Sequence, residues 1–215
     1  MALRRSLEVG ISGRAKRRLT ELTTVAVSAL PLAVLRGQLR LGTGFADDTF
    51  QDALLESHLR AAIAAIEARI GKALVTRRMK LRLQDWRGAG DQPFPVAPVA
   101  SVVSVTLFDG FGGSVAVDAA RYRLVPDMHR PRLVTSGSAL PAVASGGWVE
   151  VVFDAGFGAV WDAVPPDLGQ AVIVLASEYY EHRHDAGARE GGLPFGVVSL
   201  IDRWRTVRVL GGGAA

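Results

Sequence analysis

Cysteine is absent from all 215 positions of the chain. That excludes disulfides, thiolate nucleophiles and cysteine-ligated zinc together, and it suits a protein assembled in cytoplasm. Aromatic residues are scarce at 7%, and none lie among the basic residues of the N-terminal segment, so a base-stacking platform there is excluded. No apolar run reaches the ~20 residues a membrane-spanning helix needs. The mostly apolar stretch from Leu22 to Leu35 follows basic residues, as the core of a secretion signal would. Glu21 before it, Pro31 inside it and the missing small-x-small pattern after it favour a partly buried segment leading into a helix. Nucleotide and hydrolase signatures are missing too. Gly110-Phe111-Gly112-Gly113 has no following Gly-Lys-Ser/Thr and reads as a hairpin turn. Gly42-Thr43-Gly44 precedes a helix with no strand before it and no lysine after it, and no Gly-x-Ser-x-Gly elbow appears.

What is present is a globular composition. Hydrophobic residues make up 49% and charged residues 21%, enough to build a core. The formal net charge of +4 is unevenly placed. Arg4, Arg5, Arg14, Lys16, Arg17 and Arg18 stand against Glu8 alone before Thr20, so the rest of the chain is close to neutral. Such a basic segment is open to three readings: contact with phosphate, contact with an acidic partner surface, or solvation alone. Any DNA binding through it is electrostatic and salt-sensitive, without base reading.

Periodicity divides the chain. A short helix is expected from about Pro31 to Leu41, joined by a turn to a longer one. Asp48 and Gln51 have the spacing of a capping box, and Leu55, Leu59, Ile63, Ile66 and Ile70 then fall on one helical stripe. Glu56 and Arg60 are placed to pair, and Gly71 offers a left-handed stop. Beyond it the period drops to two. Met79, Leu81 and Leu83 alternate with polar residues, as do Val103, Val105 and Leu107. With Ser114–Val117, Tyr122 to Leu124, Leu133–Thr135 and Val149 to Phe153, about six short strands form an antiparallel β module. Helix returns at Pro165-Pro166-Asp167, with Leu168, Ala171, Val172, Leu175 and Tyr179 on a stripe widened by Ile173 and Val174. After Pro194 a last helix carries Val197, Leu200, Ile201, Trp204 and Val207.

The expected class is α+β: a helical bundle built from both ends of the chain, with a small antiparallel β module inserted. Its parts are a basic arm (1–27), a helical domain (28–73 and 159–210), a β-rich insertion (74–158) and a C-terminal tail (211–215). The densest metal-ligand candidate is Glu178 to Asp185, with Glu178, His182 and His184 in a hydrolase reading. The zincin spacing is absent, and His182 and His184, two apart, diverge on a helix. A solvated helix end accounts for them, so no metal, cofactor or enzymatic function is expected. Trp204, beside arginines, is the tryptophan expected at a subunit contact.

In order, these segments resemble a known family. They are Asp47-Asp48 opening a helix with Ala61-Ala62-Ile63-Ala64-Ala65-Ile66-Glu67 and ending at Ile70-Gly71-Lys72-Ala73-Leu74; Pro98 to Val105; Tyr122-Arg123-Leu124; Val151 to Gly158; Val164-Pro165-Pro166-Asp167-Leu168; Tyr179-Tyr180 with Arg183; and Arg205-Thr206-Val207-Arg208. The chain resembles the head–tail connector (adaptor) proteins of long-tailed phages, including those of gene transfer agents, from about residue 28 to 210. Its wealth of Ala, Gly and Arg suits a GC-rich bacterial genome and hence a gene transfer agent. The basic segment before residue 20 departs from the shorter family pattern. The resemblance implies a structural ring of about twelve copies at the head–tail interface of a virion or phage-like particle. It lies beneath the portal protein and above a stopper or tail-completion protein. Double-stranded DNA passes through its channel without sequence recognition, and no membrane is involved. The resemblance also implies that Trp204, Arg205, Arg208, Val209 and Leu210 meet the portal, ordering on assembly.

Overall fold

The computed structural model describes residues 6–8, 17–41, 48–183 and 192–205. Expectations for Arg4, Arg5, Arg14, Lys16, Gly42 to Gly44, His184, Asp185, Val207, Arg208, Val209, Leu210 and the tail after it lie outside the described residues. The protein is α+β and divides into two compact units, residues 1–30 with 72–165, and residues 31–71 with 166–215.

The first unit is built from strands β1 (Ser6–Glu8), β2 (Arg17–Glu21), β3 (Arg77–Leu83), β4 (Asp91–Pro93), β5 (Val99–Phe108), β6 (Ser114–Ala116), β7 (Tyr122–Val125), β8 (Arg132–Thr135) and β9 (Trp148–Ala155). They form a six-stranded sheet in the order β1-β2-β3-β9-β5-β6 and a three-stranded sheet in the order β4-β8-β7. Every pairing between these strands is antiparallel. In β3 and β9 alternation sends Met79, Leu81, Leu83, Val149, Val151, Phe153 and Ala155 to the interior. There they meet Val105, Leu133, Leu140, Phe94 and Val96 in one apolar cluster. The rings of Phe94 and Phe153 lie 4.7 Å apart, tilted by 52°.

Two differences from the sequence reading have local causes. The strand expected from Val103 begins at Val99, because register shifts near Ala100 and Val103 break the period of two that would have revealed it. The segment read as a basic arm contains the β1–β2 pair, which extends the sheet along β3. Leu19, opposite Leu81, packs against the core, while Arg17 and Arg18 stay exposed. One partly buried leucine between charges is too little alternation to mark a strand in advance.

The second unit is helical: α1 (Leu32–Gln38), α2 (Asp48–Ile70), α3 (Pro166–Glu181) and α4 (Phe195–Ile201). The expected stripe of α2 is buried throughout, from Leu55 at 0% to Ile63 at 6% exposure. Gly71 ends the helix at φ +69°, with its N–H donating to the Glu67 carbonyl, and Arg60 pairs with Glu56 at 2.7 Å. Arg36 of α1 donates from Nε to Asp52 of α2 at 3.0 Å. Helix α3 packs on α2 and on α4, and Leu168, Ala171, Val172, Ile173, Leu175 and Ala176 are all buried. Burial at consecutive positions means the helix is covered on more than one side. The final helix is shorter than its apolar spacing implies: after Ile201 the chain tightens into a 3-10 turn, Asp202–Trp204. No described helix is long and apolar enough to cross a membrane.

Candidate functional site

Asp167 draws the C-terminal segment onto the start of α3. Its Oδ2 accepts from the Trp204 indole Nε1–H at 2.6 Å and from Arg203 Nε at 2.7 Å. Arg203 also lies over the Trp204 ring, 5.0 Å from its centroid. Partial burial alone would raise the Asp167 carboxyl. The hydrogen bonds from Trp204, Arg203 and the Leu168 amide outweigh that and hold it below the usual carboxylate range. The sequence placed Asp167 only as an anion favoured by a helix N-terminus; its second role depends on a residue 37 positions away. Trp204, expected at a subunit contact, is thus half-buried with its indole N–H committed within its own unit, and Arg205 beside it is exposed.

On the β unit, the face of the large sheet turned away from the core carries ordered rows of side chains. Register sets Arg18, Arg82, Glu150 and Thr106 side by side, and alongside them Thr20, Lys80, Val152 and Ser104. Lys80 pairs with Glu150 at 3.1 Å. Arg78 grips Asp154 through Nε and NH2, both at 3.0 Å, which holds the Asp154 carboxyl below its ordinary range. The Arg82 guanidinium lies 3.9 Å from the centroid of the Trp148 ring, which itself stacks on Phe108 at 5.0 Å. Of the basic segment, Arg17 and Arg18 are the members among the described residues.

Of the metal-candidate segment, Glu178 and His182 are described, whereas His184 and Asp185 are not. Glu178 and His182 share a face of α3, but both are about half exposed, and His182 Nδ1 sits 3.1 Å from the Glu178 carbonyl. Among the described residues no three His, Cys, Asp or Glu side chains converge as a metal site.

No protein-family model matches the chain, and no curated protein matches it by sequence. Solved structures do. A chain from the neck of an empty gene transfer agent particle computed with C6 symmetry is 56% identical. The match covers 90% of this chain and 98% of that one, with a TM-score of 0.81. The chain belongs to the gene transfer agent neck proteins. Over the same shares, a chain from the virion of a native gene transfer agent particle is 55% identical with a TM-score of 0.78. One from the neck of a native particle computed with C12 symmetry is 51% identical at 0.77. This neck protein is therefore a structural component of the particle.

Proposed function

We propose that this neck protein is the adaptor of the particle. Copies form a ring between the portal protein and the stopper or tail-completion protein, around a channel through which double-stranded DNA passes unread. The observation that carries the reading is 56% identity across 98% of a chain in a neck of sixfold symmetry, with a second similar chain in a twelvefold neck. Cyclic symmetry repeats one subunit about an axis, and a hole along that axis is the natural consequence. As a ring subunit the protein has no catalytic role and needs no cofactor.

In this reading Trp204 anchors and the residues after it dock. With the indole held by Asp167, Arg205, Arg208, Val209 and Leu210 are the part presented to the portal. The test is sedimentation with portal rings. The full chain is expected to co-sediment, and a chain lacking Arg205 to Ala215 to do so much less. Failure of the full chain to bind refutes the adaptor role, whereas full binding by the truncated chain refutes only the anchoring tail.

A second reading, DNA binding through the basic segment, is favoured by the exposure of Arg17 and Arg18, the latter in register with Arg82. It expects DNA retention that falls steeply with salt and disappears when Arg14, Lys16, Arg17 and Arg18 are neutralised. Salt-independent retention rejects it.

A further inference from the structure

We propose that the tip of the β5–β6 hairpin is the contact between successive copies. Phe111 of one copy docks on the apolar strip at Leu22, Ala26 and Val27 of the next. The inference rests on the ring reading above and adds to it the residues that close the ring.

Phe111 is 94% exposed, and Val115 on the same hairpin is 67% exposed. A phenylalanine bare in solvent is unusual because its ring is a large apolar surface that water solvates poorly. Here the exposure is not that of a loose loop. The Asp109 carboxylate accepts from the N–H groups of Phe111 at 2.8 Å and Gly113 at 2.9 Å, and the Asp109 N–H donates to the Gly113 carbonyl. Gly110 and Gly112 take φ of +84° and +106°, conformations that side chains disfavour. A Cβ on Gly110 would lie 2.6 Å from the Gly146 carbonyl oxygen, so the turn is seated against a neighbouring loop. At its base the Phe108 ring stacks on Trp148. The tip is ordered before any partner arrives, which lowers the entropy cost of docking.

The occupant is a second copy because of where the two patches lie. In a cyclic ring each subunit offers one face to the neighbour ahead and a different face to the one behind. Sheet order puts β6 at one edge and the β1–β2 pair at the other, so four strand spacings, about 19 Å, separate β6 from β2. The strip that leaves β2 carries Leu22 at 40% and Val27 at 46% exposure, with Ala26 exposed between them. Register also puts them at opposite ends of the strands, since Phe111 follows the Leu107–Val149 end and Leu22 follows the Glu21–Met79 end. Knob and strip therefore occupy diagonally opposed corners of one sheet. A contact between them is head-to-tail, as ring closure requires.

The cysteine-free sequence makes the test clean. In particles carrying the double variant Phe111→Cys with Val27→Cys, mild oxidation should give a ladder of disulfide-linked multimers, while either single variant gives none. If the double variant stays monomeric while a dihydrazide that links activated carboxylates, of which the chain has 21, still ladders the same particles, the ring stands and this contact is overturned. If neither reagent produces multimers, the ring reading falls and the contact with it. A photo-reactive group at position 111 that captures a different particle protein also overturns the proposal. Should the double variant not be incorporated into particles, sedimentation of the full chain decides. Phe111→Ser should melt like the parent yet self-associate about tenfold or more weakly, as loss of an aromatic anchor does; equal association of the two overturns it.

Discussion

Replacing Asp167 with alanine tests how the C-terminal segment is held. The substitution removes the acceptor of the 2.6 Å bond from Trp204 and of the 2.7 Å bond from Arg203. A hydrogen bond to a charged acceptor contributes about 1.5–3 kcal/mol. Because Trp204 is half-exposed, its freed N–H can reach water, so the lower end applies. Arg203 is 69% exposed, which limits its share to under about 0.5 kcal/mol. Loss of the anion from the first turn of α3 adds about 0.3–1 kcal/mol. Asp167→Ala should therefore cost about 2–3 kcal/mol, concentrated in α4 and the 3-10 turn after it. Asp167→Asn, which keeps a neutral acceptor, should cost about half of that. Urea unfolding measures the total, the indole 1H–15N resonance of Trp204 reports the bond, and hydrogen exchange shows whether α4 opens first. The carboxyl is held below its ordinary value, so its contribution is present above that value and is lost as pH falls through the lower folded one. Parent and Asp167→Ala stabilities should accordingly converge in acid. An unmoved Trp204 resonance, or a stability difference that persists below the folded-state value, would refute the clamp.

Three further perturbations probe the β unit. Phe153→Ala empties a site with 0% exposure that touches Phe94 and should cost about 3–5 kcal/mol in denaturant unfolding. Lys72, 1% exposed, donates to the Met128 carbonyl, and burial pushes its amine below the ordinary 10.5 despite the opposing pull of Asp127. The fold tolerates the neutral amine better, so parent stability should rise as pH climbs from the lowered folded-state value towards 10.5. Lys72→Met should flatten that rise and change neutral-pH stability by less than about 1 kcal/mol, as urea titrations across the alkaline range will show. Gly156→Ala places a Cβ 2.4 Å from Thr76 Cα at a φ of +142°, so soluble expression and melting should report a loss of about 3 kcal/mol or more.

The kind of each element was legible wherever periodicity ran unbroken. The α2 stripe, the alternation in β3 and β9, the glycine stop at position 71 and the Glu56–Arg60 pair all follow from residues a few positions apart, and all stand in the structure. Elements were hidden where the local signal was short or interrupted: β2 behind its arginines, the start of β5 behind two register shifts, β4 in three residues. The ordered segments that resemble head–tail connectors were also readable in sequence, and the particle neck is where similar chains are found.

The amino-acid order alone determined which segments coil and which extend, because backbone period and turn chemistry are set by neighbours in the chain. Only the tertiary structure decided who lies beside whom. Strand β9 inserts between β3 and β5 from far along the chain, Leu19 recruits a charged segment to the sheet, and Asp167 meets Trp204. Those choices come from burying apolar area and satisfying polar groups across distances that no local pattern encodes. The bare ring of Phe111 belongs to the same class: its sequence marks a turn, and only the folded sheet shows that nothing among the described residues covers it.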